Sequence, residues 1–209
     1  MNDTLRQLRD IVSLLREEGE AGDVVDWDAA AAELGVASFP GDYRAFVATF
    51  GAGSFEDSLF VSVPRPGNSA APLTVGRLPD DALRAEVMSD WQAAGANSKY
   101  RLVDMLVWGQ TNGADALCWV TSDPDSNRWP VAVWERQGGG WKIHDCGMTD
   151  FLVRLLRGDF PECPLSLATL WRRGTARFLN FREEERCLDA GVDPWTEESM
   201  DPFDDVGRP

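Results

Sequence analysis

Leu102–Cys146 reads LVDMLVWGQTNGADALCWVTSDPDSNRWPVAVWERQGGGWKIHDC and holds five of the nine tryptophans: Trp108, Trp119, Trp129, Trp134 and Trp141. Its Val-, Leu- and Trp-rich runs suit a pleated, half-buried surface, and they predict strands near 102–109, 114–121, 130–135 and 141–145. Asn112-Gly113 can supply the positive φ values of a tight hairpin, and Gly138-Gly139-Gly140 can do the same later. No connection here is long enough for a parallel crossover, so the strands are expected to pair as an antiparallel meander. Alternation puts Val131 and Val133 on one face, with Ala132 and Trp134 on the other. Both faces are then apolar, so helices must cover one and something else the other.

Helical signals flank this sheet on both sides. Leu5, Leu8, Ile11, Val12 and Leu15 share one face of a helix expected over Thr4–Glu18 and closed by Gly19. A second helix is expected from Asp26 to Leu34, stopped by Gly35. Phe39-Pro40 opens a third, in which Tyr43, Phe46, Val47 and Phe50 fall at helical spacing, and Gly51 and Gly53 end it. Ser58–Val63 reads as a strand, and 64–78 as a loop with room for one short strand. Pro79-Asp80-Asp81 starts a helix bearing Leu83, Val87, Met88 and Trp91. After the sheet, Thr149 can cap a helix carrying Phe151, Leu152, Leu155 and Leu156, stopped by Gly158. Leu165–Phe181 stays ambiguous: Leu167, Leu170 and Trp171 want burial, while Gly174 interrupts. Arg182–Ala190 reads as an exposed helix, and the Pro- and Asp-rich end from Gly191 as extended or disordered. The domain organisation expected is an α+β domain over 1–160 with a C-terminal extension over 161–209.

Charge narrows the function. Thirty-five acids against 20 Lys and Arg give a formal charge of −15. From Arg182 onward, ten acids face three arginines, which places −7 in the last 28 residues. An acidic face speeds encounter with a basic partner, whereas phosphate neutralisation needs clustered Lys and Arg. Nucleic acid is therefore not an expected partner. Apolar runs such as Met105–Trp108 are too short to span a bilayer, and MNDTLRQLRD carries no secretory pattern, so a cytoplasmic location is expected. Cys118, Cys146, Cys163 and Cys187 form no CxxC pair, and in a reducing compartment they are expected as free thiols.

No chemistry stands out. His144 is the only histidine and sits in a predicted strand, where a packed or solvated role is the ordinary one. Asp123-Pro-Asp125-Ser-Asn127 begins like a calcium loop, but Arg128 and Trp134 occupy the positions where an EF-hand needs Gly and Glu. Gly51-Ala52-Gly53 follows a helix, so it is a helix stop and not a dinucleotide turn. Glu183-Glu184-Glu185 diverge by about 100° per residue on a helix and cannot converge on one ion. No catalytic, cofactor-binding or metal-binding residue is assigned. One or two of Trp108, Trp129 and Trp134 are candidates for a protein-binding surface, where Trp is enriched.

Two stretches resemble the SUKH superfamily, the cell-wall-assembly-regulator type that includes many bacterial toxin-immunity proteins. The first is Glu33-Leu34-Gly35, then Phe39-Pro40-Gly41-Asp42-Tyr43-Arg44-Ala45-Phe46 and Gly51-Ala52-Gly53. The second is Trp108-Gly109, Asn112-Gly113-Ala114-Asp115, Leu117-Cys118-Trp119 and Trp129-Pro130-Val131-Ala132-Val133-Trp134, completed by Phe151–Leu156 with Gly158. The resemblance covers about residues 26–158 and does not reach the tail. It implies helices packed on an antiparallel sheet, and binding without catalysis: an immunity protein that docks onto a toxin domain, often a nuclease, or a cytoplasmic adaptor. The family prescribes no universal contact residues. Charge and turn position single out Glu56, Asp57, Trp108, Asn112, Asp115, Asp123, Asp125 and Trp129 as partner-binding candidates.

Overall fold

A computed structural model of the chain describes residues 3–15, 22–68, 73–78, 100–137 and 140–200. These contain five helices, α1 Asp3–Ile11, α2 Trp27–Leu34, α3 Gly41–Phe50, α4 Met148–Arg157 and α5 Phe181–Asp189. They also contain nine strands in one sheet: β1 Val12–Leu14, β2 Gly53–Phe55, β3 Leu59–Val61, β4 Gly76–Arg77, β5 Met105–Thr111, β6 Ala116–Val120, β7 Val131–Glu135, β8 Gly140–His144 and β9 Ala176–Asn180. The order is β1-β9-β2-β3-β5-β6-β7-β8, with β4 also paired to β5. Every pairing is antiparallel except β1 with β9. The α+β class and the meander β5–β8 are as the tryptophan-rich stretch implies.

The two faces of the sheet carry two apolar clusters. Val131 and Val133 join Trp108, Trp119, Leu117 and Phe178 under Leu5 and Leu8 of α1, Tyr43, Phe46 and Phe50 of α3, and Phe151 and Leu155 of α4. Ala132 faces the other way, with Leu102, Met105, Cys118, Val120 and Trp141. Period-two alternation thus sorts each strand's side chains between a thick helical layer and a smaller second cluster.

Local chemistry explains the helix ends. Asp26 caps α2 by accepting the Ala29 N–H at 3.0 Å, and Gly35 closes that helix with a left-handed φ of 66°. For α4 the cap differs from the one expected. Thr149 lies inside the helix, and the Asp42 carboxylate of α3 accepts its N–H at 3.0 Å and its hydroxyl at 3.1 Å.

Four further expectations are corrected. The first helix stops at Ile11, because Val12–Leu14 pairs in parallel with β9, and that pairing overrides the helical spacing of Val12 and Leu15. Gly53 does not end α3; it opens β2, where a Cβ would lie 2.2 Å from the Leu179 carbonyl oxygen. In the β5–β6 turn the left-handed residue is Ala114, with φ 62°, after Asn112 and Gly113, as in three-residue hairpin loops. Finally, the boundary expected at 160 does not divide the fold. Ambiguous Leu165–Phe181 contains β9, an interior strand between β1 and β2, and α5 packs on it. The expected helix at 79–91, the Gly95–Lys99 turn, Gly138-Gly139 and the chain end after Met200 lie outside the described residues.

Candidate protein-binding surface

The eight candidate residues do not form one site. β6 separates two groups: one at the β2–β3 and β5–β6 turns, the other in the β6–β7 connection.

At the first end, Glu56 and Asp57 are the central residues of a two-residue hairpin, with φ 47° and 50°, closed by Ser58 N–H donating to the Phe55 carbonyl at 2.9 Å. Left-handed backbone is costly for residues other than glycine, and Glu56 is held by strong partners. Its carboxylate accepts the Arg177 backbone N–H at 2.8 Å and the Arg177 guanidinium at 2.9 Å, with Arg173 at 3.3 Å. Burial pushes the Glu56 carboxyl up, but these donors and charges outweigh it and leave it below the usual range. Glu56 is therefore an anchor. Asp57 is exposed, and its carbonyl accepts the Asn112 side-chain N–H at 3.2 Å. Nearby Glu184 of α5 is pushed up by burial and by the Asp57 charge. Asp115, expected at the surface, is only 1% exposed. It accepts Thr111 Oγ1 at 3.0 Å, Arg136 N–H at 2.9 Å and Ser166 N–H at 2.9 Å, along with the Ser166 hydroxyl. That is a structural knot and cannot serve as a contact.

At the other end, the β6–β7 connection is held by its own polar atoms. Asp123 accepts the Asp125 N–H at 2.9 Å, and Asp125 accepts the Asn127 N–H at 3.0 Å. Trp129 is buried rather than presented: its indole N–H donates to the Asp123 carbonyl at 2.7 Å. Asp123, half-buried, and Asp125, exposed, remain at the surface. The Asp123-Pro124 ridge separates two grooves. One of about 520 Å³ is lined by Tyr100, Ser122, Arg128, Pro130 and Asp145. The other, of about 350 Å³, runs past Val36, Ala37, Arg77 and the exposed Val103. Asp145 and Tyr100 escaped the sequence reading because neither belongs to a motif; the chain turns alone bring them beside Asp123.

Of the other tryptophan candidates, Trp108 belongs to the core and Trp134 is half-buried. Trp108 is fully buried between Trp119, at 6.0 Å between ring centroids, and Phe151, at 6.5 Å. Trp134 packs at 5.6 Å on Trp141 over the second cluster. His144 lies against Phe151 at 5.3 Å and Phe160 at 4.9 Å, and burial, followed by the Arg154 and Lys142 charges, pushes it down to about 4. It is a neutral packing residue near pH 7. Burial likewise pushes the Cys146 thiol up to about 12, with Asp150 adding to it. Among the described residues no group of three or more His, Cys, Asp or Glu is placed to hold a metal, and no helix is long and apolar enough to cross a membrane. No protein-family model, curated protein or solved structure matches this chain.

Proposed function

We propose that this protein is a non-enzymatic, SUKH-like binding domain that serves as a cytoplasmic immunity protein, neutralising a basic toxin domain by occupying its active cleft. The observation that carries this reading is the formal charge of −15, carried in part by the exposed Asp57 and Asp125 and the half-buried Asp123, in turns at the two ends of the sheet. A surface of one sign raises the encounter rate with an oppositely charged partner and disfavours wrong ones. The motif pair quoted above supports the family part of the reading, and helices on an antiparallel sheet are the architecture that it implies. Nuclease-type toxins suit the charge because they must themselves carry cations to meet phosphate.

Co-expression tests the reading. A toxin domain that arrests growth of a host cell when produced alone is expected to be tolerated when this protein is produced with it. A domain that binds the protein and stays equally toxic contradicts the immunity role.

A further inference from the structure

Thr111–Asp115, TNGAD, carries an Asn-Gly pair across the β5–β6 turn. The base of this turn is clamped: Thr111 N–H donates to the Asp115 carbonyl at 3.0 Å, and Ala114 N–H to the Thr111 carbonyl at 2.9 Å. Asn112 and Gly113 are its central residues, and Asn112 is exposed.

The tip leaves two reactive groups unoccupied. Gly113 N–H donates no hydrogen bond among the described residues, and the Asn112 side-chain carbonyl accepts none. The Asn112 side chain is tied only through its nitrogen, 3.2 Å from the Asp57 carbonyl, a length at the weak end for N–H···O. Glycine leaves the backbone nitrogen unshielded, and packing favours it here, since a Cβ at Gly113 would lie 3.2 Å from Leu167 Cδ1 and Cγ.

Asn127 and Asn180 show the contrast. Asn127 Oδ1 accepts the Gly41 N–H at 2.8 Å, and the backbone nitrogen that follows, Arg128 N–H, donates to the Asp125 carbonyl at 3.0 Å. Asn180 is 5% exposed; its Oδ1 accepts the Arg182 N–H at 2.9 Å, and Phe181 N–H donates to the Ala52 carbonyl at 3.0 Å. In both, the side-chain carbonyl and the following backbone nitrogen are engaged. At Asn112 neither is.

We propose that Asn112 is a site of spontaneous deamidation, which converts the tip of the β5–β6 turn to aspartate and isoaspartate as the protein ages. The Gly113 backbone nitrogen loses its proton to hydroxide and bonds to Asn112 Cγ. The Cγ–Nδ2 bond breaks, and ammonia leaves with a proton taken from water, so that hydroxide is restored and a cyclic imide remains. Water then opens the imide at either carbonyl. Breaking the new N–Cγ bond leaves aspartate; breaking the original peptide bond leaves isoaspartate, whose chain runs through the side-chain carboxyl carbon. Both products add one negative charge beside Asp57. Aspartate also puts an acceptor where the amide donated to the Asp57 carbonyl, and isoaspartate lengthens the backbone by one methylene inside a clamped turn. The inference is independent of the protein-binding reading.

The test is incubation of the full chain at mildly alkaline pH, folded and in guanidinium chloride, followed by peptide mapping and labelling with an isoaspartyl methyltransferase. Product at Asn112 is expected in the folded chain within about a hundredfold of its rate in denaturant, because its bonds to the Ser58 and Asp57 carbonyls can each withhold about a factor of ten. The rate is expected to rise with hydroxide, while Asn127 and Asn180 stay intact. Asn112→Gln is expected to abolish the methyltransferase label in the turn, because the longer side chain closes its ring far more slowly. A larger slowing in the folded chain, product appearing first at Asn127 or Asn180, or a rate indifferent to pH overturns the proposal.

Discussion

Asp115 in the β5–β6 turn accepts the Ser166 backbone N–H at 2.9 Å, across 51 residues of chain. This buried carboxylate ties the central meander to the segment that leads into β9.

Asp115→Ala is accordingly a stability variant and not a binding variant. It strands the Arg136 and Ser166 N–H groups and the Thr111 hydroxyl, for a loss of about 3 kcal/mol. For a chain of this length, that lowers Tm by about 6–12 °C. An unchanged urea midpoint together with weakened partner binding would restore Asp115 as a contact.

A second cross-chain tie is the Asp42 carboxylate at the start of α4. Asp42→Ala removes the acceptor for Thr149 N–H and is expected to cost about 1–2 kcal/mol, as loss of a helix cap does. Hydrogen exchange reads this directly. The Thr149 amide gains in rate more than those of α3 do, and uniform protection in the variant would show that the cap matters little.

The β2–β3 hairpin separates stability from recognition. Asp57 sits at φ 50°, so Asp57→Gly relieves left-handed strain and is expected to stabilise by about 1 kcal/mol while deleting an exposed carboxylate. Thermal unfolding and association kinetics of one variant then move in opposite directions: Tm rises and kon with a basic partner falls. A lower Tm would place the Asp57 side chain in a structural role.

His144 gives the fold a pH dependence. Its folded value is pushed down to about 4, mainly by burial, from an unfolded value of about 6.5. The folded state therefore binds the proton less well than the unfolded state. The contribution is complete above the unfolded value and shrinks as pH falls from about 6.5 toward 4. With partial exposure discounted, it amounts to about 2 kcal/mol. Between pH 7.5 and 4.5 the parent is expected to lose about that much more stability than His144→Gln, in which nothing titrates at this position. Parallel stability curves would contradict the neutral, packed histidine.

What was legible in the sequence was whatever depended on neighbouring residues. Val131, Val133 and Ala132 announced a two-faced strand by alternation, and Asp26 and Gly35 bounded α2 through their own conformational preferences. What was missed depended on distant partners. Val12–Leu14 is too short to announce itself as a strand, and becomes one because β9 lies 164 residues downstream in register. Ala176–Asn180 does not alternate cleanly, since Phe178 and Leu179 are adjacent and both buried, and Trp171 and Gly174 blur its window further. The candidate surface suffered most. Turn position marks Glu56 and Asp115 as solvated, yet each is spent on internal donors that sequence spacing cannot show. Trp108 is an interface candidate by residue type alone, and the sheet's helical cover places it in the core.

The described part of the C-terminal segment is tied to the body, since Arg182 pairs with Asp23 and its side chain also donates to the Gly22 carbonyl at 3.0 Å. Truncation after Met200 is thus the informative cut for the acidic end. An immunity protein docking through the sheet-end surfaces keeps its partner, with association slowed modestly by the loss of three acids, Asp201, Asp204 and Asp205. An adaptor that works through its tail loses its partner altogether.

The most direct test of the central claim is capture of the binding partner by the tagged full chain from native lysate or from rival-cell secretions, at low and high salt. Partner activity is then assayed with and without the protein. The account predicts one near-stoichiometric basic protein with a catalytic domain, silenced on mixing, whose association slows with salt far more than its dissociation quickens. A captured partner that stays fully active, or one with no excess of positive charge and no salt-dependent association rate, would contradict it.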